Sequence, residues 1–129
     1  MGSQDEGKLR GGRGSEEARG ARARRLPSGQ YIPTSLTHVT SRDFRRAFDK
    51  LPPDVQERAK DRHRLLERNP GAPELDLRNP FDIVWRVEVG EGYRAIGAMY
   101  EEPVIVWLWI GPHKGYDNIL DDLRDHLNA

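Results

Sequence analysis

Four side chains have the types and spacing for proton transfer beside a bound anion. Arg86 and Glu88 lie two apart in the alternating run 83–90 (IVWRVEVG), and Arg94 ends the tripeptide Gly92-Tyr93-Arg94. His113 follows the apolar run 104–110 (VIVWLWI). Carboxylate and imidazole exchange protons, imidazole best near neutral pH, and guanidiniums hold anions. Tyr116, three residues on, offers a ring for base stacking or for packing. A chain of 129 residues without cysteine has no thiol nucleophile, disulfide or thiolate metal site. Histidines 38, 63, 113 and 126 lack metal-ligand spacing, so no metal and no cofactor is expected. Gly90, Gly92 and Gly111 lack the strand–GxxxxGK–helix setting of a phosphate loop.

These residues need a sheet to hold them. Ile83, Trp85, Val87 and Val89 alternate with Val84, Arg86 and Glu88, the period of a half-buried strand. Gly90-Glu91-Gly92 supplies a turn in which positive φ is cheap, residues 93–100 return, and Glu101-Glu102-Pro103 reverses the chain again. The run 104–110 is apolar on both faces, which places it inside the sheet, with Trp107 and Trp109 on one face in the core. Gly111-Pro112 then kinks the chain and exposes His113.

The remaining elements cover the sheet. Phe44, Ala47, Phe48 and Leu51 form a helical stripe, capped by Thr40 or Ser41 with Asp43 in its first turn. Pro52-Pro53 separates it from a second helix, whose narrow apolar face is Val55, Ala59, His63 and Leu66 and which ends at Asn69-Pro70-Gly71. The two form an antiparallel hairpin in which His63 is a half-buried core residue. Residues 31–39 read as a short edge strand or arm, and 71–82 as a loop with Leu75 and Leu77 turned inward. Residues 116–127 read as a last helix with Ile119, Leu120, Leu123 and Leu127 apolar. His38 and His126 are expected at the surface.

Apolar content of 36% and charged content of 33% describe one domain with a modest core. No apolar run reaches the ~20 residues of a membrane span, and residues 1–25 lack a signal-peptide core, so a cytoplasmic protein without membrane contact is expected. The net charge of zero conceals an asymmetry. Residues 1–30 hold seven Lys/Arg against four Asp/Glu, and residues 31–129 hold 14 against 17. Residues 1–30 are too poor in large apolar side chains to offset the entropy of ordering, so a disordered Gly/Arg-rich tail is expected before a domain at 31–129. Its GGRG and ARGARARR stretches resemble arginine–glycine segments that touch RNA phosphates; a plain linker is the alternative.

Five pieces in order resemble one family: Phe44–Phe48–Leu51–Pro52, Val55–Ala59, Leu66–Asn69–Pro70, W-R-V-x-V-G-x-G-Y-R-A-I-G at 85–97, and W-x-W-I-G-x-H-x-x-Y-D at 107–117. Together they resemble the RelE/ParE toxins of bacterial type II toxin–antitoxin systems. The resemblance implies a small α+β domain, with a helical hairpin packed on one face of a twisted antiparallel sheet of about four strands and a short C-terminal helix. It implies a cognate antitoxin as partner and a metal-independent endoribonuclease that cuts mRNA, in association with the ribosome, by attack of the ribose 2′-OH. By that resemblance Glu88 is the base, Arg86 and Arg94 stabilise the phosphorane, His113 is the acid, and Arg94 and Tyr116 bind substrate.

Plainer readings stand beside these. Arg86, Glu88 and Arg94 can form a solvated charge cluster worth ~0–1 kcal/mol per pair, His113 can hold the Gly111-Pro112 turn, and Tyr116 can simply pack. The superfamily also contains ParE-like inhibitors of DNA gyrase without a catalytic site, and an inactive antitoxin-binding homologue is a third possibility. Convergence of Arg94 and His113 on one face with Arg86 or Glu88 favours the nuclease; opposite faces favour the inhibitor.

Overall fold

The computed structural model describes residues 23–127. The elements run β1 (Ala23–Arg25), β2 (Tyr31–Pro33), β3 (Thr37–Thr40), α1 (Arg42–Asp49), α2 (Pro53–Arg68), a 3-10 turn (Pro73–Leu75), β4 (Arg78–Phe81), β5 (Val84–Gly90), β6 (Tyr93–Glu101), β7 (Val104–Pro112) and α3 (His113–Leu127). The main sheet has five strands rather than about four, in the order β3-β7-β6-β5-β4. Its pairs are antiparallel except β3, which runs parallel to β7 at one edge. The segment 31–39 is therefore two strands in two sheets, and the segment 71–82 contains the opposite edge strand.

Local chemistry explains the helix starts. Ser41 Oγ accepts from the Phe44 N–H at 3.1 Å, capping α1, and Pro53 opens α2 where its missing N–H costs nothing. Both helices cover one face of the sheet, where Leu51, Val55 and Leu66 meet Trp85, Val87, Val89, Ala95, Ile105 and Trp107. Leu75 and Leu77 turn into this core as their spacing suggests. On the opposite face, Tyr116 and Leu120 of α3, flanked by Ile119, Leu123 and Leu127, cover Val84 and Ile96, with Phe81 and Trp109 alongside. Burying each of these large side chains stabilises the fold by ~1.5–3 kcal/mol.

Three expectations change. First, residues 1–22 of the expected disordered tail lie outside the described residues, but 23–30 do not fit it. β1 pairs with β2, Leu26 is buried, and the Gln30 carboxamide bonds both backbone groups of Asn79 at 2.8 Å, covering the outer edge of β4. Second, Trp107 and Trp109 occupy opposite faces. Ile96 pairs with Trp109 and Gly97 with Trp107, so Leu108 is an extra residue, and this bulge inverts the alternation. Third, α3 begins at His113 rather than at Tyr116, so His113 stands in its first turn.

Candidate functional site

The pleat of β5 sends Val87 and Val89 into the core under α1 and α2 and turns Arg86 and Glu88 to the other face. Glu88 pairs directly with Arg94 of β6, and Arg78 of β4 with Arg86. All four side chains therefore share the α3 face. Glu88 Oε2 accepts from Arg94 Nε at 2.6 Å and from Arg86 Nη1 at 2.7 Å. Arg86 Nη2 donates to Asp76 Oδ2 at 3.0 Å, and Arg78 Nε donates to Asp76 Oδ1 at 2.8 Å. Three guanidiniums on three neighbouring strands thus alternate with two carboxylates, Glu88 on β5 and Asp76 just ahead of β4.

The three arginines are not equivalent. Arg86 has both Nη amines on carboxylates and only 12% of its side chain exposed, so it is an internal strut. Arg94 and Arg78 are each hydrogen-bonded through Nε alone, and among the described residues their Nη amines take no hydrogen-bond partner. Asp76, in the left-handed region at φ +41°, holds the strut from below. Burial alone raises its carboxyl pKa, but the bonds and charges of Arg78 and Arg86 outweigh that and hold it below the usual value.

The Arg94 guanidinium lies over the Tyr116 ring, 4.5 Å from its centre, within cation–π range. The His113 ring, 6.1 Å away at an interplanar angle of 29°, stacks on the same tyrosine. The His113 N–H donates to Gly92 O at 2.5 Å, tying the start of α3 to the glycine turn that precedes Arg94. Gly90 and Gly92 have φ of +101° and +87°, so that turn depends on residues without a Cβ. Tyr116 is 5% exposed, and burial pushes its phenol pKa up against the opposing charges of Arg86 and Arg94. A ring so covered is a platform for Arg94 and His113, which agrees with the packing alternative for Tyr116 rather than with base stacking.

The structure therefore brings Arg86, Glu88, Arg94, Tyr116 and His113 together, and only His113 of the five is exposed. Sequence reasoning missed Asp76 and Arg78. Their signal was partial: Leu75 and Leu77 turned inward leave Asp76 outside the core, but nothing in a segment read as a loop marks the strand that carries Arg78.

A second titratable cluster lies on the helical face. His38 is wedged rather than at the surface, its Nδ1 accepting from Trp107 Nε1–H at 3.1 Å with the two rings nearly coplanar, edge to edge. His63 of α2 meets it edge-on at 4.9 Å but is itself exposed, contrary to the half-buried place expected. Burial and the neighbouring His63 lower the His38 pKa, with Glu67 opposing. A groove of about 340 Å³ between the helices and the sheet adjoins this cluster. Among the described residues no group of three His, Asp or Glu is placed to hold a metal, and no helix is long and apolar enough to cross a membrane.

A comparison with protein-family models and with curated proteins finds no match. Solved structures do match. A chain of the RelB–RelE antitoxin–toxin complex from Methanococcus jannaschii is 15% identical over 63% of this chain and 96% of that one, with a TM-score of 0.51. A chain of the archaeal RelE–RelB complex from Pyrococcus horikoshii OT3 is 20% identical over 61% and 96%, with a TM-score of 0.49. The isolated RelE toxin from E. coli is 16% identical over 69% and 99%, with a TM-score of 0.47. The Methanococcus alignment shows that this chain has the RelE-like α+β fold.

Proposed function

We propose that this protein is the toxin of a type II toxin–antitoxin pair and a metal-independent endoribonuclease that cuts messenger RNA on the ribosome. The observation that carries this reading is the convergence of Arg94 and His113 on Tyr116, beside Glu88. A gyrase-binding surface has no need of such a cluster. That a fold of this kind occurs in an antitoxin–toxin complex supports an antitoxin as the partner.

The chemistry follows from the geometry. Glu88 Oε1 has no partner among the described residues, and it takes the proton from the ribose 2′-OH as that oxygen attacks phosphorus. The outer Nη edge of Arg94 holds the phosphorane charge that develops. The P–O5′ bond breaks, and His113 delivers a proton to the departing O5′. Arg86 contributes by fixing Glu88 rather than by touching phosphate. Atoms balance with a 2′,3′-cyclic phosphate and a 5′-hydroxyl as products.

The test is to incubate ribosome-bound messenger with the full chain, at the magnesium level the ribosome needs, and to identify the ends formed. Cyclic-phosphate and 5′-hydroxyl ends are expected; 5′-phosphate ends, the mark of attack by water rather than by the 2′-OH, overturn the mechanism. Growth arrest in cells with intact transcripts and DNA damage indicates a gyrase target instead.

A further inference from the structure

The alternating row does not stop at the proposed cleavage site. It continues from β6 through β5 to Arg78 on β4, the last strand of the sheet. Arg78 repeats the arrangement of Arg94. Each guanidinium is pinned through Nε by a carboxylate that also holds Arg86, and each turns its Nη edge away from that carboxylate. Arg78 is also half exposed, with 50% of its side chain accessible. Two strand spacings separate β4 from β6, roughly 10 Å across the sheet. With Arg86 and two carboxylates bonded between them, the two guanidiniums are held apart and suit two phosphates of one chain rather than one.

From this geometry we infer that Arg78 is a second phosphate seat, which makes the site a track for single-stranded RNA running across the strands from His113 towards β4. Asp76 is its positioning residue, since it aims Arg78 and braces Arg86 at once. The track answers a problem set by composition: residues 31–129 carry 14 basic against 17 acidic side chains, so affinity for a polyanion must come from a local row. Here three cations face two anions, a local excess of one positive charge. The assignment of Arg78 rests on the ribonuclease reading but makes a separate prediction, because Arg78 contacts a phosphate that is not cut.

The experiment measures binding of a 2′-O-methyl hexaribonucleotide, which cannot be cleaved, to the full chain over a range of salt concentrations. Cleavage of the matching all-ribose oligomer on programmed ribosomes is followed alongside. Removing one single-strand phosphate contact lowers the slope of log K against log salt by about 0.7. Arg78→Ala is expected to lower that slope by this amount, to weaken binding several-fold at low salt, and to raise KM for cleavage more than it lowers kcat. Arg78→Lys is expected to recover the slope. Unchanged affinity and slope in Arg78→Ala, with Arg94→Ala still inactive, overturns the track and leaves the nuclease standing. Wild-type cleavage in Arg94→Ala and His113→Ala overturns the nuclease itself. Failure of the wild-type chain to bind the oligomer at any salt concentration overturns the track.

Discussion

Arg94 and Tyr116 are stacked, with the guanidinium carbon 4.5 Å from the centre of the phenol ring. A cation over an aromatic face gains about 0.5–2 kcal/mol, more when solvent is excluded, and the ring here is buried. The tyrosine therefore sets the direction of the arginine, and its hydroxyl is incidental to that role. Tyr116→Phe is expected to retain activity within about twofold, whereas Tyr116→Leu keeps the apolar volume and loses at least tenfold in kcat. Steady-state cleavage kinetics on both variants check this, and equal losses in the two would assign the work to the hydroxyl.

Arg86 and Arg94 differ in what they hold. Arg86→Ala removes two charge-assisted bonds, leaving Asp76 on Arg78 and Glu88 on Arg94, at a cost of about 1–3 kcal/mol. Arg94→Ala removes a guanidinium whose Nη edge has no protein partner among the described residues, so stability falls less. Urea unfolding should place the Arg86 variant clearly below the Arg94 variant. The reverse order contradicts the strut.

The half-buried His38 makes stability depend on pH. In the unfolded chain its imidazole titrates near the ordinary 6.5; in the fold, burial and His63 lower that value although Glu67 opposes. Between the two values the unfolded chain binds more protons, so stability rises with pH there. The contribution is complete above pH 6.5 and is lost on acidification through the lower folded value. His38→Asn, whose Oδ1 can accept from Trp107 Nε1, should flatten this part of the profile of melting temperature against pH. A wild-type slope in that variant would place the titration elsewhere.

Gly111 is opposite Arg94 in register, and a Cβ there would lie 2.5 Å from Cζ2 of Trp109. The indole is rigid and packed among Gly111, Gly115 and the α3 core, so Gly111→Ala should cost about 1–3 kcal/mol through overpacking. At roughly 4–8 °C per kcal/mol this is a visible fall in Tm. Trp109→Leu in the same chain should recover part of the loss. No fall in the single variant would mean the ring moves aside freely.

Much of the scaffold is legible in residue order. The alternation around Arg86 and Glu88, the Gly90-Glu91-Gly92 turn, the Ser41 cap and the Pro53 helix start each express a local rule, and each stands in the fold. What escaped is non-local. A bulge at Leu108 cannot be read from a run that is apolar on both sides, since inserting one residue leaves the pattern unchanged while moving Trp109 to the α3 face. The order of residues 23–30 depends on Leu26 finding a core and Gln30 finding Asn79, 49 positions away. For the site, Arg94 and Glu88 were readable from one hairpin. Asp76 and Arg78 required knowing that β4 joins the same sheet.

The most direct measurement is a map of messenger-RNA 5′ ends in cells expressing the wild-type chain, Arg94→Ala or His113→Ala. New 5′-hydroxyl ends within coding regions are expected with the wild type, falling about 10²–10³-fold in Arg94→Ala and about 10²–10⁴-fold in His113→Ala. Arrested growth with no new ends, or the same ends in all three strains, would contradict the assignment of this cluster as a ribonuclease site.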